Sequence, residues 1–278
     1  MNTLITVIIY VFVFLFGVII GSFLNVCILR IPQKETIVSE RSHCMTCGHT
    51  LAWYDLFPLF SWLFLGGKCR YCKAKISKQY PIVEFTNGVM AVLCFLFGGF
   101  SVSNLINGSM SSSEMIYTFA VIILSAFLCS VLIVISVIDW RTFEIPLGTN
   151  IFILALGIIR LALNFIINGT TGDWLDYVIG LFVVSIPLAV IYYVSKGRAI
   201  GGGDVKLMAV AGLFLGWKLA LVALITGCLY GSVIHIIRMK MSGEGKQLAM
   251  GPYLSAGIVT ALWFGQYIVE WYSGFFPS

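Results

Sequence analysis

Two aspartates stand out as candidates for chemistry: Asp139 in VIDWRTFEIP (137–146) and Asp204 in AIGGGDVKLM (199–208). Both interrupt mostly apolar sequence, where a charge at membrane depth costs about 2.5 kcal/mol or more. Two carboxylates held close together share a proton rather than both ionising. Such a pair can hold a water, take its proton as it attacks a carbonyl, and protonate a leaving amine. Gly201, Gly202 and Gly203 precede Asp204 directly. Lacking Cβ atoms, they let a substrate backbone approach closely, and an extended peptide can bond such a segment as an added strand. Lys206, two residues past Asp204, falls on another helix face and is a candidate contact for a substrate carbonyl or carboxylate. Each motif also has a plainer reading. Asp204 can cap the helix that follows a flexible glycine turn, and Asp139 can be a loop residue paired with Arg141.

A second constellation lies earlier. Cys44 and Cys47 form one C-x2-C, Cys69 and Cys72 another, with residues 48–68 between them. Each pair places two thiolates on one turn, and two turns close a four-thiolate site of the kind that holds structural zinc. His43 and His49 flank the first pair and read as solvated loop residues. Cys27, Cys94, Cys129 and Cys228 are isolated in apolar runs and read as small buried hydrophobes.

The elements that position these residues follow from composition. Of 278 residues, 59% are hydrophobic and 10% charged, where soluble domains carry about a quarter charged. Residues 1–29, 115–138, 177–195, 219–237 and 247–269 contain no Asp, Glu, Lys or Arg. About 20 apolar residues cross the hydrocarbon as a helix. The expected fold is an all-α polytopic membrane protein with about eight helices, near 4–28, 82–98, 115–138, 147–167, 175–195, 205–217, 219–237 and 249–271. The sixth is too short to cross: either it is re-entrant, or Gly201–Asp204 continue its path below the membrane surface, and both put Asp204 near the bilayer edge. Residues 1–30 read as a first membrane helix, 31–80 as a polar zinc-binding insert and 81–278 as the membrane-embedded core. Nothing in the sequence points to nucleic acid.

Orientation follows from the 17 Lys and Arg. Threading eight helices with the N-terminus outside puts all but Arg160 and Lys218 on one side, which the positive-inside rule makes cytoplasmic. The basic-poor stretches GGFSVSNLINGSMSSSE and NFIINGTTGDW fit the outside, as do both termini. Asp139, Asp204 and the cysteine insert then share the cytoplasmic face. The insert with its flanking residue is basic: over 30–80, Arg30, Lys34, Arg41, Lys68, Arg70, Lys73, Lys75 and Lys78 stand against Glu35, Glu40 and Asp55. That charge suits anionic headgroups of the bilayer.

These segments together resemble the bacterial type IV prepilin peptidases. GSFLNVCILRIP (21–32) resembles the family's N-terminal signature. The stretch 44–88 resembles its tetracysteine domain and the P-x-V-E-x-x-T that follows. IDWRTFEIP (138–146) matches D-x-x-x-x-x-I-P, GGGDVKLM (201–208) matches G-x-G-D-x-K, and MGPYLSAG (250–257) resembles G-P-[FY]-L. One departure is Leu147, where the family has Asp or Asn after the I-P; Asn150 lies three residues on. The resemblance implies that Asp139 and Asp204 are the catalytic pair of a membrane aspartic endopeptidase in the bacterial cytoplasmic (inner) membrane. It implies cleavage of a short basic leader after glycine in type IV prepilins or pseudopilins. It also implies methylation of the new amino terminus with S-adenosylmethionine as donor. Two other classes remain open on the residues alone. A proton or cation transporter predicts repeats between halves, and none is visible. A non-catalytic assembly factor predicts loss of an aspartate, and both are present.

Overall fold

The computed structural model describes residues 2–37, 41–99, 111–168, 174–242 and 248–275. Residues 100–110 and 169–173, within the two basic-poor stretches that the topology places outside, fall beyond these residues. The chain divides into two compact units, Met1–Asn107 and Gly108–Ser278.

The first unit contains helix α1 (Asn2–Gln33), a 3-10 turn (Trp53–Asp55), the short helix α2 (Phe60–Phe64) and helix α3 (Gln79–Phe97). Lipid tails are as apolar as leucine, so helices in a membrane associate through close packing at small residues. Gly17 and Gly21 lie one turn apart on α1. A Cβ on Gly17 would fall 2.8 Å from the Gly88 Cα, and one on Gly21 2.7 Å from the Glu84 Cα. The Asn87 amide donates to the Gly17 carbonyl at 2.7 Å across this seam. Helix α3 therefore packs on α1, within the unit that also holds the insert.

The second unit contains α4 (Ser112–Thr142), α5 (Leu147–Asn168), α6 (Trp174–Val183), α7 (Ser185–Val194), α8 (Gly202–Leu215), α9 (Trp217–Ser242) and α10 (Gly251–Ser273). Ser111 caps α4 reciprocally with Glu114, a capping box. The fifth expected helix is broken after Val183. Pro187 accounts for the break: it has no N–H for the Val183 carbonyl, and its ring crowds that carbonyl.

All eight expected helices are present. Among the described residues, six segments are long and apolar enough to cross a membrane: Leu4–Gln33, Gln79–Phe97, Ser112–Thr142, Leu147–Ile167, Trp174–Val194 and Trp217–Lys240. The exceptions are α10, diluted by Ser255, Thr260, Gln266 and Glu270, and α8, with 14 residues. Helix α8 is apolar all round because it is enclosed: it packs on α5, α6, α7, α9 and α10, and Leu207, Met208, Ala211 and Phe214 are fully buried. A Cβ on Gly212 would run into the Gly180 carbonyl, and one on Gly180 into the Gly212 carbonyl, so α6 and α8 cross backbone to backbone.

Cys27, Cys94 and Cys129 are buried as expected, but Cys228 is exposed. An outward helix face in lipid is as apolar as a core, so an apolar run does not by itself say which side is buried.

Candidate active site

Asp139 occupies the last turn of α4 and is 5% exposed. It forms no ion pair among the described residues, so the pairing with Arg141 does not hold. Its Oδ2 instead accepts the backbone N–H of Gly251 at 2.8 Å. Gly251 is the first residue of α10, followed by Pro252, so a helix N-terminus meets the carboxylate there. Only glycine fits: a Cβ at 251 would stand 2.8 Å from Oδ2 and 3.0 Å from both Cβ and Cγ of Asp139. Past Asp139, Phe143 ends α4 in the left-handed conformation (φ 55°, ψ 29°) and its N–H bonds the Asp139 carbonyl. Trp140 carries the Arg238 guanidinium over its ring at 5.3 Å.

Asp204 does not sit on a pliable connection. Helix α8 starts at Gly202 with Gly201 as its extended N-cap, so Asp204 lies inside the first turn, half-buried. It is not itself the cap. The first turn is where a helix favours a negative charge. None of Gly201, Gly202 and Gly203 has a positive φ, and packing is tight at Gly201 and Gly203. A Cβ on Gly201 would lie 2.9 Å from the Asp204 Oδ2, one on Gly202 3.5 Å from the Tyr192 ring, and one on Gly203 3.0 Å from the Ile145 Cβ. The contact with Ile145 ties the start of α8 to the segment leaving Asp139. The two aspartates are close enough for the charge on Asp139 to be felt at Asp204. Lys206 is exposed on α8. Asn150, early in α5, is 3% exposed, and neither its Oδ1 nor its Nδ2 has a partner among the described residues.

The cysteine insert is built from two matching turns. An isolated antiparallel bridge closes each one, His43 with Thr50 and Lys68 with Lys75. Cys44 N–H bonds the His49 carbonyl and Cys69 N–H the Ala74 carbonyl. Gly48 and Lys73, each one past the second cysteine of its turn, have φ near 68° and 60°. The sulfur atoms of Cys44, Cys47, Cys69 and Cys72 lie within 4.8 Å of one another, and Cys44 and Cys72 are 3.8 Å apart. Four sulfurs about 2.3 Å from one tetrahedral ion sit about 3.8 Å from each other, so the set fits zinc. Hydrogen bonds from the Cys47 and Thr46 backbone draw the Cys44 thiol down to about 6. Cys72 is pushed up to about 11: the Ala74 N–H opposes the rise, while burial and the neighbouring sulfurs disfavour a further thiolate. Neither His43 nor His49 joins the cluster; His49 stacks on Tyr71, with centroids 3.6 Å apart. Asp55 locks the insert by accepting from Arg70 at 2.7 Å and Tyr71 at 3.1 Å.

Sequence reasoning missed the Gly251 contact, although the Gly-Pro start of α10 was visible. Glu84 of α3, an acidic residue that sequence reasoning offered as a contact for a basic leader, is buried, and its Oε2 accepts the Leu59 N–H at 2.7 Å.

Residues 15–97 match the model for the bacterial peptidase A24 N-terminal domain, and residues 126–236 match that for the type IV leader peptidase family. A prepilin leader peptidase/N-methyltransferase of Pectobacterium carotovorum subsp. carotovorum is 32% identical over 268 residues, covering 87% of this chain and 88% of that protein. One of Bacillus subtilis is 30% identical over 263 residues, covering 93% and 96%. One of Myxococcus xanthus is 32% identical over 238 residues; the aligned part is 84% of this chain and 64% of that longer protein. No solved structure matches. With both domains matched in order, and a relative of this identity covered over almost its whole length, the chain belongs to the type IV leader peptidase family.

Proposed function

We propose that this chain is a membrane aspartic endopeptidase that removes the basic leader of type IV prepilins or pseudopilins after a glycine, and N-methylates the residue so exposed. Asp139 and Asp204 are the catalytic pair. The observation that carries this is their placement: two carboxylates from the ends of α4 and α8 within electrostatic reach, with the α10 N-terminus bonded to one of them. A water between them loses its proton to one carboxylate as it attacks the scissile carbonyl, and the other carboxylate protonates the departing amine. Lys206 and the backbone of Gly201–Gly203 are the proposed substrate contacts. The peptidase core is residues 81–278, most of which form the second unit.

Zinc fills the four-cysteine site and supports the insert. The protein sits in the cytoplasmic membrane with both termini outside and the catalytic face and insert in the cytoplasm, where a basic leader waits before translocation. S-adenosylmethionine supplies an electrophilic methyl group to the new amine.

The test uses protein in lipid, a prepilin with a basic leader and a glycine–phenylalanine junction, S-adenosylmethionine, and mass spectrometry. Wild type is expected to release the leader and to add one methylene mass to the product. Asp139→Asn and Asp204→Asn are each expected to leave the prepilin intact. Cleavage surviving either substitution overturns the aspartyl mechanism.

A further inference from the structure

The first unit encloses a cavity of about 420 Å³ where the cytoplasmic ends of α1 and α3 meet the insert. That volume suits one small molecule. One wall is Glu84, 6% exposed. It receives the Leu59 N–H and forms no ion pair among the described residues. Arg30 and Lys75 also line the cavity and suit a ligand's carboxylate, while the buried Glu84 carboxylate suits a ligand's cationic group, because an isolated buried charge is costly. A second wall is the indole of Trp62, held by its Nε1–H on the Ile76 carbonyl at 3.4 Å and seated on Gly67, where a Cβ would come within 2.8 Å of the ring. Asn25 and Tyr80 complete the floor. The Asn25 amide donates to the Tyr80 carbonyl at 3.1 Å and its oxygen accepts from Gln79 at 3.3 Å, so the floor is fixed rather than adaptable. The far side of the cavity reaches Cys44 and Cys69.

We propose that this cavity binds the methyl donor, with Glu84 facing its sulfonium and Trp62 stacking on its adenine. The proposal rests on the methyltransferase part of the function proposed above. A sulfonium is attracted to a carboxylate and to an aromatic face, and adenine stacks on indole as bases do on aromatic side chains. A second cavity in this unit, lined by Trp53, Phe57, Phe60 and Phe64 among others, has no carboxylate in its lining. In the transfer, the amine lone pair forms the new N–C bond, the methyl–sulfur bond leaves its electron pair on sulfur, and the amine's surplus proton passes to water. The donor thus loses its positive charge. Glu84 then holds the charged donor more firmly than the neutral thioether product, which favours product exchange. Cleavage and methylation fall on different units of the chain.

The experiment compares S-adenosylmethionine with S-adenosylhomocysteine, its neutral product, in calorimetric binding to the full-length protein in nanodiscs. Zinc content and thermal midpoint report that the first unit is folded. Glu84→Gln is expected to weaken the charged ligand roughly tenfold or more and the neutral one far less, collapsing the preference between them. Trp62→Leu is expected to weaken both. An unchanged preference in Glu84→Gln overturns the assignment. So does loss of leader-peptide binding in that variant with donor binding intact, which would make the cavity a leader site. Photolabelling wild type with an azido-adenine analogue of the donor needs no variant: label on residues 22–84 supports the site, and label on the second unit overturns it. If wild type methylates prepilin while these tests fail, the cavity assignment alone falls; if wild type neither binds donor nor methylates, the methyltransferase reading falls with it.

Discussion

Replacing Gly251 with alanine adds a single methyl group at the point where α10 meets Asp139. The added carbon would lie 2.8 Å from Oδ2, whereas ordinary contact begins near 3.4 Å. The carboxylate must therefore retreat by about 0.6 Å or turn away, and the 2.8 Å bond from the Gly251 N–H is strained or lost. A hydrogen bond to a charged group contributes about 1.5–3 kcal/mol. If that interaction holds Asp139 in its attacking geometry, kcat falls roughly 10- to 150-fold. KM moves little, because prepilin binding does not depend on this bond. Gly148→Ala is the control, since a Cβ there meets nothing within 4 Å. The assay is leader release by reconstituted protein over a range of prepilin concentrations, with thermal unfolding recorded for each variant. Gly251→Ala turning over within about twofold of wild type at an unchanged thermal midpoint would refute the claim that the α10 N-terminus positions Asp139.

Asp204→Asn removes one of two neighbouring like charges, so it is expected to leave the thermal midpoint unchanged or raise it by a few degrees while abolishing cleavage; a clear drop in midpoint speaks against a strained pair. The double variant Asp139→Asn/Asp204→Asn is expected to be no slower than either single one, as residues acting as a unit are not additive; additive losses in leader release contradict a shared role. Gly212→Val would force a side chain onto the Gly180 carbonyl and cost about 1–3 kcal/mol, read as a lower unfolding midpoint in detergent; a midpoint equal to wild type means the α6–α8 crossing is looser than described. Metal analysis of purified protein is expected to find one zinc per chain, lost in Cys69→Ser; full zinc retention in that variant removes the four-thiolate site.

Much of this architecture was legible because the membrane imposes it. Uncharged stretches had to become helices, and all eight are present. The C-x2-C pairs announced their cluster because spacing alone sets whether two sulfurs can share a turn. What the sequence hid was long-range. Gly251 and Asp139 are 112 positions apart, and no local pattern says which residue a helix N-terminus will face. The three glycines before Asp204 carry more than one meaning. They read as open backbone for a substrate; two of the three lie inside α8, and a Cβ on Gly201 or Gly203 would also crowd the Asp204 carboxylate or Ile145, while one on Gly202 would only touch Tyr192. A glycine chosen for close packing and one chosen for freedom look alike in sequence. The break after Val183 was readable from Pro187, four residues on, but a long apolar run drowned the signal.

The helix ends explain how two carboxylates persist here with no ion-pair partner among the described residues. Asp139 lies in the last turn of α4, where exposed carbonyls make the environment negative and disfavour an anion by about 0.3–1 kcal/mol. Left alone, that position suits a lysine. The N-terminus of α10 reverses the local field by bringing a backbone N–H to Oδ2. Asp204 needs no second helix, because the first turn of α8 already favours its charge. A lysine or arginine partner would have stabilised either carboxylate more strongly, but a bound cation competes with a water for the same oxygens and holds the acid in its charged form. Backbone N–H groups stabilise without titrating. They leave the remaining carboxylate oxygens free for a water and a shared proton, which is what hydrolysis by an aspartate pair requires.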